Sequence, residues 1–154
     1  MPRRGIGYNW NMLIGKQNIH LHSISIHFTS ALYPVAVFFL FFSFFYRTTL
    51  SLFTYHHLLI LATLSAPVSY LTGIAEWKQK YRGARVRIFA RKIKAGILLI
   101  VLGAFCALWY GLHPEIMQDR GAARIVFLSV NSAVFPLVVY LGTLGGKLVY
   151  GGTH

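Results

Sequence analysis

His22-Ser-Ile-Ser-Ile-His27-Phe-Thr-Ser-Ala-Leu-Tyr-Pro34-Val-Ala-Val-Phe-Phe-Leu-Phe-Phe-Ser-Phe-Phe-Tyr46 decides how this chain is read. Two histidines five residues apart lead into an apolar run, Val35 to Tyr46, that holds six phenylalanines and no charge. The hydrocarbon core of a bilayer takes about 20 apolar residues of helix, and this stretch supplies them. Groups able to bind a metal or a cofactor therefore stand at the mouth of a membrane helix.

Working outward, the pattern recurs three times. Expected spans lie at about 24–46, 52–75, 93–112 and 123–149. Pro34, Pro67 and Pro136 fall inside spans, where neighbouring helices re-satisfy the freed carbonyls. Ser23 or Ser25 is expected to cap the first span and Thr54 the second. Residues 1–21 read as a polar or interfacial lead, and 22–154 as the membrane bundle. Gly96, Gly103 and Ala107 give the third span a small-residue face. Gly142 and Gly146 have the spacing that brings two backbones close in lipid.

The whole composition agrees. Of 154 residues, 56% are hydrophobic and 12% charged, about half the charged share of a soluble domain. Fifteen Lys and Arg face three acids, a net charge of +12. These cations lie between apolar runs rather than on a polar face, which argues against nucleic acid as partner. Twelve of the fifteen fall on one side of a four-span topology: Arg3, Arg4, Lys16, Lys78, Lys80, Arg82, Arg85, Arg87, Arg91, Lys92, Lys94 and Lys147. The positive-inside rule then places both termini in the cytoplasm. The expected fold is an all-α integral membrane protein, an antiparallel four-helix bundle, multi-pass in a bacterial-type inner membrane. The basic loop at 78–94 is suited to anionic lipid, each cation near an anionic leaflet contributing about 1 kcal/mol. Cys106 sits in an apolar run as a small core residue.

Three short motifs carry a family likeness. His22-x-x-x-x-His27-Phe28 opens the first span, Thr72-Gly73-x-x-Glu76-Trp77 closes the second, and Leu144-Gly145-Gly146-x-Leu148-Val149-Tyr150 closes the fourth. In order and spacing they resemble the bacterial four-helix membrane family catalogued as domain of unknown function 2231, over about residues 22–152. Ser23 and Thr29 stand where that family tends to have proline, and Glu76 where it usually has aspartate. The family's further histidine near the third span is absent from Arg91-Lys92-Ile93-Lys94. The resemblance implies the four-helix fold and a b-type-cytochrome-like role.

The topology gathers His22, His27, Glu76, Trp77, Lys94, Gly145 and Gly146 at one end of the bundle, as a candidate cofactor site. His56, His57 and His113 go to the other end, where His57 and His113 form a candidate outer haem pair. Haem needs axial imidazoles with room for the macrocycle, which makes His27, His57 and His113 the candidate iron ligands. A His27–Glu76 pair is the competing expectation, each group supporting the other in a low dielectric. There is no nucleophile motif, phosphate loop, paired-carboxylate site or Cys-x-x-Cys, so no catalytic residue is assigned. The leading expectation is an electron-transfer subunit associated with haem b or a quinone. It would work with other membrane or redox subunits, or with a second copy, in a respiratory-type assembly. The alternatives are a cofactor-free accessory or scaffold subunit, and a small proton path or transporter using His27 and Glu76.

Overall fold

A computed structural model describes the backbone of residues 10–46 and 48–150, with side chains from 21 to 148 apart from position 47. The described residues form four long helices: α1 Trp10–Tyr46, α2 Thr49–Lys80, α3 Arg87–Leu112 and α4 Ala122–Tyr150. All four are long and apolar enough to cross a membrane, by length and composition. A 3₁₀ turn, Pro114–Met117, lies between α3 and α4.

Each helix packs on its chain neighbour, and α1 closes the ring against α4. Connections of this brevity return each helix alongside the one before it. Contacts between chain neighbours confirm the antiparallel sense. Thr29 meets Ser69 while Tyr33 meets Thr63, and Tyr55 meets Tyr110 while Tyr70 meets Gly96.

The inward stripes repeat every three or four residues, the spacing that keeps one helical face toward a neighbour. On α2 they are Tyr55, Leu59, Ala62 and Ala66; on α3, Ala95, Leu99, Gly103, Cys106 and Tyr110. The interior is largely apolar, and unlike that of a water-soluble bundle the outer surface is apolar too. Tyr33 is 0% exposed whereas Phe45 is 83% exposed. Phe38, Phe53, Leu64, Leu108 and Ile125 also face outward on the four helices. Such a belt greatly exceeds the apolar patch a soluble monomer carries, and it matches a hydrocarbon solvent.

The helices extend beyond the expected spans. α1 runs unbroken through residues 21 and 22, so no boundary separates the lead from the first span over 10–21. Positions 1–9 of that lead lie outside the described residues. Ser25 lies inside α1 and bonds the carbonyl of His22. Thr54 is likewise internal and bonds Leu50 O, because α2 starts at Thr49. Helices continue through all three prolines. The expected basic loop at 78–94 contracts to a turn over 81–86, with Lys78 and Lys80 on α2 and Arg87 to Lys94 on α3. Gly83 takes φ +68° there, where a side chain would be strained. This is the basic end of the bundle; the ends of α1 and α3 and the starts of α2 and α4 form the far end.

The small-residue expectations divide. Gly103 lets the Tyr33 ring reach α3, and a Cβ added at Gly96 would lie 3.0 Å from the Tyr70 ring. Gly142 and Gly146 have no such neighbour: a Cβ on either meets nothing within 4 Å. The close backbone approach expected there is not made among the described residues. Their empty space opens instead into the cavity described next.

Candidate functional site

The site begins with one ring and three α2 residues on the face toward α1. His22 is buried, with Nδ1 3.2 Å from Thr72 Oγ1 and Nε2 3.5 Å from Glu76 Oε2. Gly73 makes the fit possible, since a Cβ there would lie 2.9 Å from His22 Cε1. Thr72 donates its hydroxyl proton to Val68 O at 2.8 Å, leaving lone pairs for an incoming donor. One ring nitrogen of His22 thus faces the Thr72 hydroxyl and the other the Glu76 carboxylate. Lys80 Nζ, 3.8 Å from Glu76 Oε1, flanks the carboxylate from solvent.

This corner borders a cavity of about 460 Å³ between the helices at the basic end. Its walls are largely apolar, from Ile26, Ala66, Ile93, Leu99, Val138 and Leu141. Aromatic rings close the rim. Trp77 donates Nε1–H to Ala84 O at 3.0 Å, and its ring lies 5.8 Å from Phe89, which also meets Tyr81 at 5.0 Å. Lys92 also lines the cavity and reaches α4, its Nζ 3.9 Å from where a Gly145 Cβ would stand.

The expected basic-end residues are thereby brought together: His22, His27, Glu76, Trp77, Gly145 and Gly146 all line this one cavity. The pairing differs from expectation. Glu76 bonds His22, not His27, because His22 shares the inward stripe of Thr29 and Tyr33. His27 stands five residues on, about 140° round the helix at ~100° per residue, and is exposed. The lysine that lines the cavity is Lys92; Lys94 is exposed.

A hydroxyl seam between α1 and α2 went unread. Thr29 Oγ1 lies 2.7 Å from Ser69 Oγ and 2.9 Å from Ser65 Oγ, and Ser25 Oγ is 3.2 Å from Thr72 Oγ1. Its signal was present in the three- and four-residue spacing of Ser25 and Thr29 with His22, and of Ser65, Ser69 and Thr72. Interhelical bonds of this kind join helices where hydrophobic attraction between them is absent.

At the far end the histidines are engaged locally. His57 Nδ1 lies 2.8 Å from Phe53 O on its own helix, and the ring packs on Phe53 at 4.0 Å. His113 Nδ1 is 3.1 Å from Glu115 Oε1. Glu115's own backbone N–H, and then the His113 ring, hold its carboxyl below the ordinary carboxylate value. The histidine turned toward α3 is His56, 5.1 Å from the Tyr110 ring. Among the described residues, no three His, Cys, Asp or Glu side chains come close enough to hold a metal ion.

No protein-family model matches the chain. No solved structure matches it either. An uncharacterised protein of Archaeoglobus fulgidus is 33% identical to it over 85 residues, 55% of this chain. The chain spans 66% of that relative's length, just under two thirds.

Proposed function

We propose that this chain is a small multi-pass membrane subunit that binds a quinone-class molecule at its basic end, within an electron-transfer assembly. The observation that carries the reading is the form of the cavity. Its mostly apolar walls meet a polar corner, His22–Glu76, and Lys92 lines the same cavity beside Gly145. A quinone is a flat apolar ring with a carbonyl at each end. The aromatic rim of Trp77, Tyr81 and Phe89 suits the ring. Lys92 offers a donor to one carbonyl. His22 and Glu76 offer the other a proton, which a reduced quinone oxygen must acquire. The volume falls within the usual range for small-molecule sites, roughly 300–1,000 Å³. Thr72-Gly73-x-x-Glu76-Trp77, which carries the family resemblance, forms the wall that holds His22. The charge bias supports placing this end and both termini in the cytoplasm.

Haem b is less well served by the same residues. His22 has both ring nitrogens engaged, so ligating iron would cost it Thr72 or Glu76. Of the expected iron ligands, His27 lines the cavity but is exposed, and His57 and His113 are each tied to a local partner. The quinone version is therefore preferred.

Purification in mild detergent followed by solvent extraction tests the proposal. The expected result is co-purified quinone, seen by its ultraviolet spectrum before and after borohydride, and diminished in His22→Leu and Lys92→Leu. Absence of extractable quinone, together with no saturable binding of an added short-chain quinone, would overturn it.

The hydroxyl seam favours a second reading, a proton path. In it His22, rather than His27, hands protons to Glu76, with Ser25, Thr29, Ser65 and Ser69 behind. Proton flux into liposomes unchanged by His22→Ala would exclude it.

A further inference from the structure

The far end holds a second cavity, of about 760 Å³, which quinone binding leaves unused. Arg120 and Arg124 line it together with Thr48, Thr49 and Gln118. Arg124 is fixed from two sides. Its Nη1 donates to Met117 O at 3.4 Å, and its guanidinium lies 5.4 Å from the centroid of the Phe44 ring. Its Nε is buried and has no hydrogen-bond partner among the described residues. A buried N–H left without a partner has lost its hydration with nothing in return, the more so on a charged group, so it calls for a ligand or solvent partner.

Nor does an acid pair directly with either cation among the described residues. The chain has three acids. Glu76 is at the basic end. Glu115 borders the far cavity, but its Oε1 is engaged by His113. Asp119 Oδ1 accepts the Gly121 N–H at 2.9 Å. Among the described residues, neither Arg120 nor Arg124 has an ion pair. Two guanidinium groups, a threonine hydroxyl at Thr49 and the Gln118 amide thus border a cavity whose single carboxylate, Glu115, pairs with neither arginine among the described residues.

We propose that this cavity is an oxyanion site that takes a phosphate-class group. The planar guanidinium presents paired donors in the geometry of phosphate oxygens, and such charge-assisted bonds are about twice as strong as neutral ones. The cavity is roomier than a bare ion needs, and it accommodates a phosphodiester headgroup with its glycerol. Two sources offer this chemistry: an anionic lipid of the adjoining leaflet, and free phosphate. The site stands apart from the quinone reading, at the opposite end of the bundle, and the two can fail separately.

The test uses the full chain in two settings. Native mass spectrometry follows lipid retained by protein released from nanodiscs of phosphatidylcholine with a minor share of phosphatidylglycerol. Calorimetry follows inorganic phosphate added to the detergent-purified protein. Arg120→Gln and Arg124→Gln, singly and together, are compared with Arg91→Gln at the basic end, helicity being checked by circular dichroism. Arg124→Lys keeps the charge and removes the fork, and it serves if Arg124→Gln does not fold. The double variant is expected to lower affinity at least about tenfold, the loss of one to two charge-assisted bonds, while Arg91→Gln leaves it unchanged. Selective phosphatidylglycerol retention that depends on Arg120 and Arg124 identifies a headgroup site. Phosphate binding in detergent with the same dependence identifies a free-ion site. Lipid retention and phosphate binding that are the same in wild type, Arg120→Gln and Arg124→Lys would overturn the proposal.

Discussion

The two ends of the bundle both carry histidine beside glutamate, yet they put the pair to different use. At the basic end, His22 reaches across from α1 to Glu76 on α2, is buried, and borders a cavity. At the far end, His113 meets Glu115 two residues away, in a pair whose side chains are 60% and 65% exposed. The residue types are the same. What differs is the partner's distance along the chain and the burial that tertiary packing imposes. A local pair in water contributes little, whereas an inter-helix pair shielded from water ties two helices together.

Substitutions sharpen that contrast, from the largest effect to the smallest. His22→Ala strips Thr72 and Glu76 of their common partner. Removing one member of a buried pair costs about 3–5 kcal/mol, and residual exposure reduces this to about 2–3 kcal/mol. His57→Ala should stay within about 0.5 kcal/mol, as local surface changes do. Thermal unfolding in a single detergent measures both, and equal losses would erase the difference between the ends.

Gly73→Ala comes next. Its methyl group meets the His22 ring, and overpacking of this kind costs about 1–3 kcal/mol. Gly142→Ala meets nothing, and should be neutral or stabilising by up to about 1 kcal/mol through helix propensity. The order of the two midpoints in one unfolding series decides the matter.

Tyr55→Phe breaks the buried bond from Tyr55 OH to Asn131 Oδ1, 2.7 Å long, and leaves the amide oxygen without that donor. The expected cost is about 1–2 kcal/mol, read from the same unfolding midpoint.

The smallest effect belongs to Glu115. Its carboxyl is held below the ordinary value of 4.5, so its contribution is fully present above that value. It fades as acid carries the pH down through the lowered value in the folded state. Glu115→Gln should flatten this shallow acid limb and leave stability at neutral pH nearly unchanged. A limb of equal slope in the variant would assign it to another group.

Much of the fold was legible because a bilayer imposes one demand, about 20 apolar residues per helix, that the chain meets four times. The helix ends were less so. Lys78, Lys80, Arg87 and Arg91 break the apolar pattern but are good helix formers, so the helices run on through them. That His22, His27, Glu76, Trp77, Gly145 and Gly146 share one end of the bundle was legible, through the topology that brings alternate helix ends together. Their pairing was not, since it depends on angular position round α1. His22 lies seven residues before Thr29, on the buried stripe, and His27 does not. Lys92 hid in the same way: it lies seven residues before Leu99 and fourteen before Cys106, while Lys94 falls off that stripe.

Photolabelling gives the most direct measurement of the central claim, that a quinone-class molecule sits beside His22 and Glu76. The protein is irradiated with an azido-quinone and the adducts are mapped by peptide mass spectrometry. The account predicts label on the α2 segment from Gly73 to Tyr81 and the α3 segment from Phe89 to Gly96, displaced by excess unlabelled quinone and weakened in His22→Leu. Label spread evenly over the outward phenylalanines, or concentrated at the far end and indifferent to His22→Leu, would contradict it.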